Sequence, residues 1–264
     1  MRCCSFPRSL AVTSRYSRGF SVALAGDRSC RYNLTNWLIN MAMRAVPSRL
    51  GSRGQPEQSR ATILQAAIQE FARRGMAGAR IDAIAETAKV NKALLYYYFE
   101  DKETLYGASL DHAFGQMRAQ LLEVLDRDLA PKEKILTYVG SYFDYVANHK
   151  FNRDLIQMEM MRSGQGSPHL KRIAKQYFLP LYRRLGMVIR QGIDAGEFRP
   201  TNPLQFIPSM VALVVFYFIS APVLKSVIGS DPLSRERIAE RRAAVLDFIS
   251  AALFLPNQKP ERVP

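Results

Sequence analysis

Between residues 80 and 99 the chain reads RIDAIAETAKVNKALLYYYF, in which three consecutive tyrosines, Tyr96, Tyr97 and Tyr98, follow closely on Lys92. Phenol hydroxyls and an ammonium group are donors suited to phosphate oxygens, and Ala93 and Leu94 beside them are apolar side chains that can touch a thymine methyl. The chemistry open to this cluster is recognition of nucleic acid, not bond making. The sequence otherwise offers no paired carboxylates, no nucleophile with a nearby base, no phosphate-cradling glycine loop and no metal-ligating spacing. No catalytic residue, metal or other cofactor is therefore expected.

Short helices are needed to present these side chains. Ile81, Ile84, Ala85 and Ala88 recur at i, i+3, i+4 and i+7, one face of an amphipathic helix. A break falls at Lys89 and Val90. Asn91 can then cap a second helix over 92–98, its side-chain oxygen accepting from a free N–H of the next turn. At about 100° per residue, Phe99 lies roughly 40° from Leu95, so these two point inward together. Tyr96, Ala93, Tyr97 and Leu94 spread over the opposite face, with Lys92 and Tyr98 on its flanks. Such a helix is about 10 Å long and fits a major groove about 12 Å wide. The competing reading is that the tyrosines are half-buried core. Upstream, 59–75 places Leu64, Ala67, Ile68 and Phe71 on one stripe and closes at Arg73, Arg74 and Gly75. Downstream, Asp101 can cap a further helix with Lys102 just behind it. A cation there has the wrong sign for the helix dipole, so a partner such as phosphate explains it better than helix stability does.

In order and spacing, a first helix ending in ARRG, then GARIDAIAETA, VNKALLYYYF and EDKETLYGASL, resemble the DNA-binding domain of the TetR/AcrR family of bacterial transcriptional regulators. The resemblance spans 57–117. It implies a helix-turn-helix over 80–99 with 92–98 as recognition helix, operator DNA bound by a homodimer, and Lys102 as a phosphate contact. It also implies a C-terminal helical domain whose small-molecule ligand loosens the grip on DNA. Three positions depart from the family pattern. Lys89 stands where glycine is usual, so a residue with a Cβ has to take positive φ at a cost on the order of 1 kcal/mol. Arg80 replaces a frequent serine or threonine, losing a cap and adding a cation. Leu94 replaces a frequent hydroxyl residue and removes one family contact.

The formal net charge of +14 points to nucleic acid, but its distribution does not favour the motif. Residues 1–55 hold nine arginines and one acid, Asp27, whereas 59–110 holds seven basic residues against six acidic. Specific contacts therefore have to come from a few placed groups: Arg60, Arg80, Lys92, Ala93, Leu94, Tyr96, Tyr97, Tyr98 and Lys102. Within the basic stretch 1–56, residues 1–25 have the arginine- and serine-rich, acid-poor character of a mitochondrial transit peptide. Met41 and Met43 open the simpler account of an over-long start. A disordered basic arm is the remaining possibility, in which Arg49, Arg53 and Arg60 approach the minor groove. Cys3, Cys4 and Cys30 all fall in this stretch, leaving the rest of the chain without a thiol, as suits a reducing bacterial cytoplasm. His112, His149 and His169 are too far apart for a metal spacing and read as ordinary surface or core residues.

From Gln116 onward the pattern is helical, with helices expected at 131–149, 151–163, 168–196, 203–227 and 234–255. The fold class is accordingly all-α: a three-helix helix-turn-helix domain over 57–117, a larger ligand-binding and dimerisation domain over 118–256, and a tail at 257–264. The second half is rich in tyrosine, phenylalanine and methionine, which line adaptable pockets as well as fill cores. Tyr142, Met158, Met161, Phe178 and Tyr182 are the candidate ligand contacts. Residues 204–224 carry no charge and could just cross a bilayer, or form a helix buried on several sides. Val245, Phe248, Ile249, Ala252 and Leu253 form one stripe of the last helix. By the resemblance, the last two helices pair in a homodimer. The expected protein is a ligand-responsive regulator, a repressor first of all, with double-stranded operator DNA and a small effector as partners. A membrane-associated adaptor using 204–224, or an enzyme, are the alternatives.

Overall fold

A computed structural model of the chain describes residues 56–163 and 167–256. The basic stretch, with Arg49 and Arg53, and the tail at 257–264 lie outside the described residues. Eleven helical segments follow in order: α1 (Pro56–Gly78), α2 (Ile81–Thr87), α3 (Lys92–Tyr98), α4 (Lys102–Asp126), α5 (Pro131–Asn148), α6 (Lys150–Ser163), α7 (Leu170–Ile173), α8 (Leu179–Asp194), α9 (Pro203–Ile219), α10 (Ala221–Ile228) and α11 (Arg235–Leu253). A π-turn, Ala174–Phe178, joins α7 to α8.

The first four helices form around the stripe read from the sequence. Ile63, Leu64, Ala67, Ile68 and Phe71 of α1 are buried, and so are Ile84 and Ala85 of α2, Leu95 of α3 and Phe99. Phe71 meets Tyr106 of α4 edge to face at 4.9 Å between centroids, a favoured aromatic geometry. The helix expected to stop at Gly75 continues to Gly78 across a break at Gly75, where φ is +66 and ψ 175, backbone that glycine adopts most cheaply. The turn after α2 closes with the Val90 N–H on the Ala85 carbonyl at 3.0 Å and the Lys89 N–H on that of Glu86 at 3.1 Å. That closure needs a left-handed residue between, and Lys89 takes it at φ +55. Asn91 Oδ1 then accepts the Leu94 N–H at 2.7 Å, and Asp101 Oδ1 accepts that of Thr104 at 2.7 Å, so both expected caps form.

α4 runs unbroken past residue 117, carrying Tyr106 near one end and Met117 and Leu121 further along on buried faces. Two long helices expected in the second half are divided instead. The 168–196 segment contains the π-turn, because Pro180 has no N–H for the carbonyl four residues back and its ring crowds that carbonyl. The wider turn brings Tyr177 and Phe178 onto Phe114, at 5.7 and 5.4 Å between centroids. The 203–227 segment breaks at Ser220 by the same action of Pro222 on the Phe218 carbonyl, and the Phe216 carbonyl accepts both the Ser220 N–H at 2.8 Å and Ser220 Oγ at 2.7 Å. α9 and α10 are bent by 64°, and neither alone is long and apolar enough to cross a membrane. The expected stripe on the last helix also divides: Val245, Ile249 and Leu253 are buried, whereas Phe248 is 60% exposed and Ala252 faces outward. A stripe that spans more than the buried side of a helix has to leave its edge outside.

Lys89→Gly relieves the left-handed strain without removing a core contact, since Lys89 is exposed. The variant is expected to be more stable by about 0.5–1 kcal/mol in urea unfolding. A loss of stability would show that the turn imposes no strain on lysine.

Candidate nucleic-acid interface and ligand chamber

α3 turns Leu95 and Phe99 into the core and leaves an outer face. Tyr97 is 76% exposed and Tyr96 42%, Lys92 and Ala93 are exposed, and Leu94 is half-buried. Tyr98 is half-buried and meets Tyr97 edge to face at 5.2 Å, so the core reading holds for the third tyrosine and not for the first two. The cations around this face carry partners that the sequence did not reveal. Lys92 Nζ lies 2.8 Å from Asp82 Oδ1, tying α3 to α2. Bonding to Lys92, and its charge, hold the Asp82 carboxyl below its ordinary value, and the reverse contact raises Lys92. Lys102 Nζ donates to the Ala77 carbonyl at 3.0 Å, which supplies the partner its position at the start of α4 called for and leaves two ammonium hydrogens outward. Arg60 lies over the Phe99 ring at 5.2 Å while remaining exposed. Arg80 caps α2 without a side-chain bond, and its N–H is taken by Glu70 at 3.2 Å. The buried Glu70 carboxylate also pairs with Arg74 at 3.3 Å.

A second feature lies among α4, α5, α6, α8 and α9. An apolar chamber of about 520 Å³ is walled in part by Met117, Tyr142, Ile156, Met160, Met161 and Phe178. It adjoins a cleft of about 40 Å³ between Tyr138, Tyr142, Phe178 and Tyr182. Four expected contacts, Tyr142, Met161, Phe178 and Tyr182, therefore meet in one place, whereas Met158 lines neither space. Tyr138, Arg153, Gln157 and Met160 join them. For the three on α6 the signal was legible: 153, 156, 157, 160 and 161 follow helical spacing along one face of that helix.

A third feature is an uncovered apolar face. Phe216 of α9 is 66% exposed and Phe248 of α11 60%, and with Phe206, Met210, Leu213 and Ala252 they bound a groove of about 540 Å³. Val223 and Val227 of α10 are 65% and 75% exposed. Monomeric proteins rarely expose so much contiguous apolar surface without a partner. The histidines are held structurally: His112 bonds Gln65, His149 stacks on Tyr145, and His169 Nε2 lies 2.9 Å from Glu103 Oε1. Among the described residues no group of metal-binding side chains occurs.

Residues 63–108 match the family described as bacterial regulatory proteins, tetR family, and residues 131–249 the one described as tetracyclin repressor-like, C-terminal domain. The HTH-type transcriptional regulator RutR of Escherichia coli (strain K12) is 30% identical over 168 residues, covering 64% of this chain and 77% of RutR. The HTH-type transcriptional repressor SCO4008 of Streptomyces coelicolor is 27% identical over 199 residues, 73% of this chain and 97% of that protein. Among solved structures, a transcriptional regulator from Saccharomonospora viridis in complex with choline shares the fold, with a TM-score of 0.63 at 20% identity over 76% of this chain and 100% of that one.

Asp82→Asn frees Lys92 from its ion pair. On a duplex of random sequence the slope of log K against log salt is expected to steepen by about 0.9 for the added phosphate contact. An unchanged slope would mean that Lys92 stays off the backbone even when released.

Proposed function

The chain belongs to the TetR family of bacterial transcriptional regulators and is a DNA-binding regulator of that kind; on that premise we propose a homodimeric repressor that a small-molecule effector releases from operator DNA. The observation that carries the DNA-reading part is the outer face of α3, where Tyr97 is 76% exposed directly behind a helix face whose Leu95 and Phe99 are wholly buried. A large aromatic ring left outside a core that has claimed its neighbours is a group held for a partner. In this reading Tyr96 and Tyr97 give hydroxyls to phosphates, and Ala93 and Leu94 pass along base edges. Lys102, Arg60, Arg80 and, once parted from Asp82, Lys92 supply the few cations. Tyr98 braces the Tyr97 ring. Residues 57–117 are then the reading domain and 118–256 the effector and dimer domain, acting in the bacterial cytoplasm.

Dimerisation through α9 and α11 follows from the apolar groove around Phe216 and Phe248, which a second copy of the same face can fill. Two reading heads are needed because one offers few unpaired cations. Their separation has to match one turn of DNA, about 34 Å, or a multiple of it. The effector acts by binding one separation better than the other, since only a differential affinity can shift the equilibrium.

Tyr97→Ala is expected to weaken binding to the DNA upstream of its own gene at least tenfold in a gel-shift titration, roughly the 1.5–3 kcal/mol of a hydrogen bond to a charged group. Lys102→Ala should do the same beyond any loss in thermal stability from the broken Ala77 contact. Unchanged binding by both variants would sink the contact assignment. Separately, Phe216→Glu combined with Phe248→Glu should halve the mass seen by light scattering at micromolar concentration. If the unaltered protein is already monomeric there, the dimer reading fails.

A further inference from the structure

The polar groups of the chamber are arranged for one kind of ligand. Tyr138 and Tyr142 are only 4% and 8% exposed, and with Tyr182 they surround the narrow cleft. Among the described residues none of the three hydroxyls has a hydrogen-bond partner in the protein. Elsewhere in the same core buried hydroxyls are satisfied: Tyr145 donates to the Ala113 carbonyl at 2.9 Å, and Tyr106 to Glu159 at 2.9 Å. Buried hydroxyls left open toward a cavity await a partner from outside. Burial chiefly, then Tyr182 beside Tyr138 and both Tyr138 and Tyr182 beside Tyr142, push Tyr138 and Tyr142 above the ordinary phenol value, so at neutral pH they are uncharged donors and acceptors.

Charge in the walls is confined to one side chain that the protein itself holds. Arg153 is the charged side chain lining the chamber, and its guanidinium bonds Asp154 Oδ1 at 3.1 Å and the Val146 carbonyl at 3.1 Å while lying over the Phe218 ring at 5.1 Å. Among the described residues an anion would find in the lining only Arg153, already held at two nitrogens by Asp154 and Val146, and a cation would find no carboxylate. Either would bring an unpaired charge into an apolar space, at a large desolvation cost. Size decides the head group. The cleft of about 40 Å³ takes a few water-sized atoms at most, while the chamber of about 520 Å³ falls in the range of sites for drug-sized molecules. The two spaces share Met117, Tyr142, Phe178 and Val211, so one molecule can extend through both.

We propose that the effector is an uncharged, elongated, largely apolar molecule ending in a hydroxyl or carbonyl oxygen that seats on Tyr138, Tyr142 and Tyr182. This rests on the reading of the chamber as the effector site. The apolar body lies against Ile156, Met160, Met161 and Phe178, whose methionines adapt to its shape. The amide of Gln157 offers one further uncharged contact.

Three matched probes separate the classes by calorimetric titration of the full chain near neutral pH: 4-hexylphenol, 4-hexylbenzoate and 4-hexylphenyltrimethylammonium. The phenol is expected to bind at least about tenfold more tightly than either charged analogue. Tyr142→Phe and Tyr138→Phe should each weaken it by about five- to tenfold, as loss of one hydrogen bond does, without lowering the melting temperature of the ligand-free protein. A charged analogue binding as tightly as the phenol, indifference to both tyrosine substitutions, or no binding by any probe overturns the proposal. A gel shift keeps the two readings apart. Tyrosine-dependent phenol binding that leaves the DNA complex intact supports the ligand class and defeats the effector reading.

Discussion

A carboxylate with no solvent exposure, Glu159, fixes how the two halves of this fold meet. A buried charge is tolerated only when it is bonded on every side. Glu159, on α6, accepts from the Tyr106 hydroxyl of α4 at 2.9 Å and from Ser167 Oγ, while Arg162 lies over the Tyr106 ring at 5.4 Å. Separating α4 from α6 would strand that charge, so the two helices have to move together or pay heavily. Next to it, His169 binds Glu103 in the first turn of α4, and Arg172 and Tyr177 both reach Asp111 one stretch further along the same helix. α4 is thus held by polar contacts along the length that joins the reading head to the chamber wall.

The same helix sets what an effector could alter. At one end Lys102 holds the Ala77 carbonyl, tying α4 to the close of α1; at the other, Met117 and Leu121 form part of the chamber and its cleft. On the proposed reading, a molecule filling the chamber would push on Met117, and the polar joint would transmit the displacement instead of absorbing it. α5 carries a second route. Its Tyr138 and Tyr142 face the cleft, and its Asp144 is held by both nitrogens of a fork from Arg242 of α11, at 2.8 and 3.0 Å. Gly140 makes room for that fork: a Cβ there would stand 2.7 Å from the guanidinium. The chamber therefore shares α4 with the helix-turn-helix end and α5 with the helix that carries the uncovered apolar face.

What the sequence disclosed follows the reach of the forces involved. The Asn91 and Asp101 caps, the left-handed Lys89 and the inward pair Leu95 and Phe99 depend on neighbours within a turn or two, and all were legible. Helix breaks at Pro180 and Pro222 had a local cause as well, but uninterrupted apolar spacing concealed it. The partners of Lys92 and Lys102 were not legible, because Asp82 and Ala77 come near only after the helices have packed. The outward turn of Phe248 was hidden for a different reason: periodicity reports that a residue is apolar, and cannot say whether its own core or a second subunit covers it.

Those two concealed ion-pair and backbone partners change the physics of recognition. With Lys92 neutralised by Asp82 and Lys102 engaged at Ala77, one reading head presents phenol hydroxyls and few unpaired cations. Hydrogen bonds from such groups are short-ranged and directional, whereas the attraction of free cations for phosphate persists over a Debye length of about 8–10 Å. A surface dominated by the first kind loses its contacts with a small displacement; one dominated by the second would tolerate it. In the proposed dimer a modest change in the spacing of two such heads would then be enough to break binding, and that would make a chamber joined to them through α4 and α5 an effective place for control.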